Sequence, residues 1–236
     1  MNITFLYHSS FLVELSGCTL LFDWYGGPVP DYDRSKPLYV FASHHHGDNY
    51  APEIFAQLGM DNVWYVLANC IRLSAKRKAA LGIDDSHVFR LAAGRHLSLG
   101  GLDIQTYRST DAGVAFLVEV EGKTIFHAGD LHWWHWAEED AAWNQAMERD
   151  FKKECAKLQG KPVDVGFFVL DPRQEGEFWW GFDWWMRTME VKHAFPMHSW
   201  EDYTLVQTLR TLPCSAPYRD RVVEVSGKGQ VFSWED

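Results

Sequence analysis

The sequence lacks several features that would define whole classes of protein. Its four cysteines, Cys18, Cys70, Cys155 and Cys214, are widely spaced and form no Cys-x-x-Cys pair, which argues against a zinc knuckle or a redox motif. No run of 18 apolar residues could form a transmembrane helix. The first residues, Met1 to Leu6, lack the charged start and the long apolar segment of a signal peptide. We therefore expect a cytoplasmic protein with reduced thiols and no membrane partner.

Positive charge is also scarce. The chain has 22 Lys and Arg residues against 32 Asp and Glu residues, so the formal net charge is −10. This charge repels phosphate backbones, although an acidic protein can still carry a local basic groove. The one cluster of basic residues, Lys76-Arg77-Lys78, is typical of the solvated face of a helix. We expect no nucleic-acid partner.

The composition argues against disorder, and the sequence has no recognisable linker. Hydrophobic residues make up 47% of the 236 residues and charged residues 23%, which is typical of a globular protein with a sizeable core. No Pro-, Gly- or Ser-rich stretch separates one part of the chain from another. We predict a single domain spanning residues 1–236.

The hydrophobic pattern predicts an α/β chain that opens as a β-meander. Predicted strands lie at residues 3–7, 11–15, 18–23, 37–41, 63–67, 86–91, 96–99, 102–107, 114–119, 163–170, 191–195, 221–225 and 230–234, with another from residue 124. Predicted helices lie at residues 71–81, about 137–158 and 203–211, and a short helix begins after Asn49.

A histidine-rich turn follows the predicted strand at residues 37–41. His44, His46 and Asp48 are spaced two residues apart, so on an extended segment their side chains point to one side. Imidazole and carboxylate groups are common metal ligands, and converging donors at the end of a rigid strand favour a metal site over a surface histidine cluster.

This pattern resembles the His-x-His-x-Asp-His signature of the metallo-β-lactamase superfamily. Three further stretches resemble family motifs and occur in the family's order: Ser109-Thr110-Asp111, Gly129-Asp130 and Pro196-Met197-His198. The ordered set spans nearly the whole chain and is more specific than any one motif. The stretch His-Ala-Gly-Asp before Trp-rich residues, together with Asp171-Pro172-Arg173, resembles a lactonase-like branch of the L-ascorbate phosphate lactonase type.

The resemblance implies a fold and a ligand set. The implied fold is an αββα sandwich, in which two mixed β-sheets are flanked by helices. One or two divalent metal ions, zinc or manganese, would be bound. The implied ligands are His44, His46 and Asp111 for one ion, and Asp48, Asp130 and His198 for the other. Asp111 stands in a loop where the family normally has a histidine, and it could equally be a turn carboxylate bonded to its own backbone. Oxygen ligands shift preference from zinc towards harder ions.

Asn49 is a second departure from the family pattern. It occupies the position of the last histidine in the signature, and an amide coordinates metal far more weakly than imidazole. Either the second metal site has lost a ligand, or the pocket has been rebuilt around the amide. From the sequence alone, we expect Asn49→His to add a zinc ligand.

The resemblance also implies a function, namely hydrolysis of a small-molecule ester, lactone or phosphoester by an activated water. Asp48 or Asp130 would orient the water, and His8, His132 or Arg173 would bind the developing anion or protonate the leaving group. The alternative is a catalytically degenerate relative that binds a ligand or a partner. The aromatic stretch from Phe178 to Trp185 favours core or a subunit interface over a substrate wall, so we also predict a homo-oligomer formed through a Trp-rich surface.

Overall fold

The computed structural model of the chain describes residues 1–234. The chain divides into two compact units, each built on one β-sheet: residues 1–92 with the segment from residue 227 form the first, and residues 93–226 form the second. The sequence-based prediction that residues 1–236 form a single domain stays a prediction.

Both units contain strands and helices. The described strands are β1 (Asn2–Tyr7), β2 (Ser10–Glu14), β3 (Thr19–Phe22), β4 (Leu38–Ala42), β5 (Val63–Ala68), β6 (Val88–Leu91), β7 (His96–Leu99), β8 (Leu102–Arg108), β9 (Val114–Val120), β10 (Lys123–His127), β11 (Pro162–Val169), β12 (Glu190–Met197) and β13 (Val231–Ser233). The described α-helices are α1 (Ile54–Leu58), α2 (Ala75–Leu81), α3 (Ala141–Cys155), α4 (Trp180–Thr188) and α5 (Thr204–Thr211). The predicted α/β class, with two mixed sheets flanked by helices, is confirmed.

The first sheet has the strand order β13-β1-β2-β3-β4-β5-β6. Its first half, β13 to β3, is antiparallel and contains the predicted meander, whereas β3 to β6 are parallel. Consequently β1, β3 and β4 run in the same direction. Their carboxyl ends lie at one edge of the sheet, and the chain continues from them into His8, Asp23 and Ser43.

The second sheet has the order β12-β11-β10-β9-β8-β7. The strands from β7 to β10 are antiparallel and those from β10 to β12 are parallel. The three parallel strands end at the same edge and lead into Asp130, Asp171 and His198. In both sheets, therefore, parallel pairing gathers polar residues that are distant in sequence.

Side-chain caps set the starts of two helices, and both starts differ from the sequence prediction. Ser74 accepts a hydrogen bond from the backbone N–H of Arg77, so α2 begins at Ala75 and not at residue 71. Asp140 accepts from the N–H of Trp143, so α3 begins at Ala141 and not near residue 137. A hydrophobic pattern alone does not mark where these caps interrupt it.

Two predicted strands need correction. Residues 221–225 form no strand, and a single bridge joins Val222 to Ala194 there. The strand predicted at residues 86–91 begins at Val88, because a short 3-10 turn, Asp85–His87, precedes it.

The aromatic stretch before residue 186 belongs largely to helix α4. Phe182 and Trp185 are fully buried, and the Trp185 ring packs against Phe126, Phe151 and Phe168 of the same unit. This supports the core interpretation of the stretch, while the homo-oligomer stays a prediction. Among the described residues, no helix is both long and apolar enough to cross a membrane.

Gly181 allows helix α4 to pack against His132. A Cβ added at Gly181 would lie 2.3 Å from Cε1 and 2.5 Å from Nδ1 of His132, closer than real Cβ atoms come. We expect Gly181→Ala to lower the free energy of unfolding by about 1–3 kcal/mol, as overpacking does in other cores. Gly176→Ala is the matched control, since a Cβ there meets no atom within 4 Å. Urea unfolding of both variants tests this; equal stabilities would contradict it.

Candidate metal centre

Asp23 organises the strand ends of the first unit. Its carboxylate is fully buried, and it accepts hydrogen bonds from the backbone N–H of Ser43 (2.7 Å), from the Ser43 hydroxyl (2.6 Å) and from the side-chain amide of Asn49 (3.0 Å). A buried carboxylate needs such donors, because an unpaired charge is costly to remove from water. Asp23 thereby fixes the start and the end of the histidine-rich turn.

The Ser43 hydroxyl fixes the tautomer of His44. The oxygen Oγ lies 2.9 Å from Nδ1 of His44, and its only hydrogen is directed to Asp23. Ser43 must therefore accept a hydrogen from Nδ1, which leaves Nε2 as the nitrogen with a lone pair in the buried His44 ring. Metal-binding histidines are oriented in this way by a polar partner on the other ring nitrogen.

The other predicted donors of the first unit lie close to one another in pairs. Ligand atoms of His44 and His46 are within 4.8 Å of each other, and the two rings meet edge to face with centroids 4.6 Å apart. Nε2 of His8 lies 3.6 Å from Oδ2 of Asp48. The structure thus brings together two donor pairs within this unit.

In the second unit, His198 lies between two carboxylates. Its Nδ1 is 2.9 Å from Oδ2 of Asp171, and its Nε2 is 3.7 Å from Oδ2 of Asp130. Because an ionised carboxylate can only accept, Nδ1 carries the hydrogen, and Nε2 is the nitrogen with a lone pair. All three residues are at least 96% buried, since the exposed fractions are 2% for His198, 0% for Asp171 and 4% for Asp130.

Asp171 is a strongly stabilised anion. Burial raises the pKa of its carboxyl group, but hydrogen bonds from His198 and Arg173 outweigh burial and hold the pKa well below its ordinary value. Arg173 donates from Nε to both oxygens at 3.0 Å and from Nη2 at 2.6 Å. The guanidinium also lies against the rings of Trp136 and Trp200. Arg173 therefore positions Asp171, and through it His198.

Asp111 is an exposed residue in the loop between β8 and β9. One of its carboxylate oxygens is within 4.8 Å of one of Asp130. The loop is anchored immediately before this position, because the Asp111 N–H donates to the Ser109 hydroxyl and the Thr110 hydroxyl donates to the carbonyl of His132. The Ser109 contact involves the backbone of Asp111 and not its carboxylate, so both the turn and the ligand interpretations of that carboxylate stay predictions.

His132 does not fit the role of proton donor. Its ring is fully buried, and burial lowers its pKa to about 4. Its Nε2 is 2.7 Å from Oε1 of Gln174, whose amide donates to the carbonyl of Trp133. A neutral ring held by Gln174 is a structural element of this unit.

Sequence reasoning missed Asp23 and Ser43 as site residues. Asp23 ends a predicted strand, as the candidate ligands do, so position at a strand end was an available signal. No sequence signal identified Ser43, because its role depends on its contacts with Asp23, 20 residues away, and with the adjacent His44. The grouping of all six predicted ligands around a shared centre stays a prediction.

The fold thus combines two mixed sheets with histidine and aspartate residues that follow the ends of parallel strands. Residues 2–143 match the family described as "Beta-lactamase superfamily domain", and the chain belongs to this family. The superfamily inferred from the motifs is therefore confirmed.

Curated relatives and a solved structure agree with this assignment. A "UPF0173 metal-dependent hydrolase" of Desulforamulus reducens is 32% identical over 141 residues, which is 55% of this chain and 62% of the relative. The chain thus spans about three-fifths of that relative's length. A protein of the same description from Pyrococcus furiosus is 26% identical and is matched over 84% of both chains. The fold is similar to that of Igni18, a metallo hydrolase from Ignicoccus hospitalis, with a TM-score of 0.61 and 14% identity over 99% of both chains.

Ser43→Ala tests the orientation of His44. The substitution removes the acceptor for Nδ1–H, and loss of such a partner typically weakens metal affinity about 10- to 100-fold. We expect a loss in this range in zinc titrations with a competing chelator. Ser35→Ala is the matched control, because Ser35 makes the same pair of bonds to Asp33 at the exposed surface. Wild-type affinity in Ser43→Ala would refute the role of Ser43.

The structure favours the second explanation of Asn49, that the pocket has been rebuilt around the amide. Asn49 is fully buried and donates to Asp23, so a histidine there would break this bond and crowd a closed site. Contrary to the expectation from sequence, we now expect Asn49→His to leave zinc per chain unchanged and to lower the free energy of unfolding by about 1–3 kcal/mol. Asn69→His, at an exposed position, is the control. A gain in bound zinc without loss of stability would contradict this.

Proposed function

We propose that the protein is a metal-dependent hydrolase of a small-molecule ester, lactone or phosphoester. One observation carries the proposal: in each unit a buried histidine has its Nδ1 fixed by a buried polar group, which leaves Nε2 as a ligand atom. Metal-binding histidines are typically oriented by such a polar partner on the other ring nitrogen. The names of the matched relatives point to the same activity.

The residues fit a divalent cation. The proposed ligands are His44, His46 and Asp48 in the first unit, and Asp111, Asp130 and His198 in the second. They offer imidazole nitrogens and carboxylate oxygens, which suit zinc and manganese. Neighbouring carboxylates such as Asp111 and Asp130 repel each other as anions, and a bound cation relieves this repulsion.

At such a site, the bound ion and the protein side chains would contribute different parts of the chemistry. When bound, the ion supplies Lewis acidity and lowers the pKa of a water molecule from ~15.7 towards ~7. Either Asp48 or Asp130 would provide the carboxylate that orients the water and accepts its proton. Arg173 provides a half-exposed cation, and its stacking on Trp136 and Trp200 holds it rigid for a developing anion.

An apolar groove in the first unit supports a small-molecule substrate. It has a volume of about 610 Å³ and is lined by Tyr7, Tyr25, Pro28 and Lys228, among others. The ring of Tyr25 also contacts the ring of His8, with centroids 6.1 Å apart. A substrate with an apolar part would fit here, as in other small-molecule sites. The lactonase-like branch is consistent with Asp171 and Arg173, which recur in it and here support His198.

One observation favours the alternative, a degenerate relative that binds a ligand without hydrolysing it. The side-chain amide of Asn49 donates a hydrogen bond to Asp23. Position 49, where the family has its last histidine, therefore has a supporting role here and is not a weaker metal ligand. The two candidates differ in what they require. The hydrolase needs stoichiometric metal and turnover, whereas the binding protein needs neither.

His198→Ala tests the hydrolase. Removing a whole donor should lower metal affinity at least ~10-fold, since loss of a supporting partner alone costs that much, and turnover should fall with it. We would measure metal per chain by mass spectrometry on protein purified without chelator, then screen ester, lactone and phosphodiester substrates with added zinc or manganese. His193→Ala, on the strand β12 that precedes His198, is the control.

Two outcomes would contradict the proposal. Wild-type protein that binds less than one ion per chain and hydrolyses no substrate class would favour the binding protein. Unchanged metal content in His198→Ala would show that His198 is structural.

A further inference from the structure

His8 occupies an unusual position for a turn residue. It follows β1 directly and is only 8% exposed, and its backbone has φ of +49°. Left-handed backbone is uncommon for a residue other than glycine, although histidine, asparagine and aspartate adopt it more readily than most. Such residues cluster at functional sites, where the surrounding structure maintains them.

The backbone places the His8 ring beside Asp48. The distance of 3.6 Å between Nε2 and Oδ2 is too long for a hydrogen bond. It is close to the spacing of two atoms that bind the same cation, because bonds of about 2.1 Å at a tetrahedral angle separate two ligand atoms by roughly 3.4 Å.

Aromatic neighbours hold the His8 ring in place. Tyr25 meets it edge to face, with an interplanar angle of 86°, and Tyr7 packs against Tyr25 at a centroid distance of 4.6 Å. The hydroxyl of Tyr7 accepts a hydrogen bond from the N–H of Gly26, which ties these rings to the loop after β3. A preorganised ring loses little freedom when it binds a ligand.

The residue at position 49 explains why an imidazole is needed from elsewhere. The motif would place a histidine beside Asp48, but this chain has an asparagine whose amide donates to Asp23. Position 49 has thus become part of the support for Ser43 and His44. His8 is a histidine of the first unit that lies against Asp48.

We infer that His8 is a metal ligand that acts with Asp48 and replaces the imidazole that position 49 lacks. The inference rests on the proposed function, because it requires that the protein bind a divalent ion. It assigns His8 a ligand role in place of the proton-donor role considered from the sequence.

The experiment compares two substitutions of nearly identical shape. Asparagine and aspartate both tolerate left-handed backbone, so His8→Asn and His8→Asp should fold alike. Only aspartate offers a strong ligand atom. We would titrate each purified, chelator-stripped protein with Co²⁺ and record the visible absorption of the bound ion together with its stoichiometry. His45→Asn, an exposed histidine in the same turn, is the control, and His46→Asn removes a ligand of the proposed centre.

We expect wild type to bind two Co²⁺ ions and His8→Asn to bind one, or to bind the second at least about 10-fold more weakly. His8→Asp should bind both, with an absorption spectrum altered by the exchange of nitrogen for oxygen, and His45→Asn should match wild type.

Wild-type binding in His8→Asn would overturn the inference while leaving the proposed function intact, provided that His46→Asn loses metal. Equal losses in His8→Asn and His8→Asp would also overturn it, because they would show a structural role. Absence of binding in wild type would overturn both.

Discussion

Two buried carboxylates, one in each unit, support candidate metal ligands, and neither is itself a proposed ligand. Asp23 in the first unit and Asp171 in the second are fully buried, and each accepts hydrogen bonds from several donors. An ionised group in such a place is tolerated only when its partners stay where they are. The positions of His44 and His198 therefore depend on these two anions. A cavity lined by histidines alone would leave their rings free to rotate.

Strand direction explains how these groups meet. Asp23 and Ser43 are 20 residues apart, yet parallel pairing of β3 and β4 places them at one edge of the first sheet. In the second sheet, parallel pairing of β10, β11 and β12 does the same for Asp130, Asp171 and His198. Both units therefore have the same arrangement, in which polar residues follow apolar strands that run in the same direction.

Much of this arrangement could be predicted from the sequence. Apolar runs followed by His, Asp or Gly-Asp located most strands and suggested the candidate ligands, because an apolar strand that ends in polar residues leaves a clear pattern. The starts of α2 and α3 could not be placed, since single capping residues decide them. The role of Asn49 could not be predicted either. Its partner Asp23 is 26 residues away, and an amide can serve equally as a weak ligand or as a hydrogen-bond donor.

The left-handed backbone at three strand ends limits which residues these positions can accept. His8, Asp23 and His198 have φ of +49°, +44° and +66°. Valine, isoleucine and threonine are strongly disfavoured there by steric contact between Cβ and the backbone, whatever the chemistry of the site. Homologous proteins should consequently have mainly glycine, asparagine, aspartate or histidine at these positions. Part of any restriction seen among homologues is thus owed to backbone geometry, and only the remainder reports on metal binding.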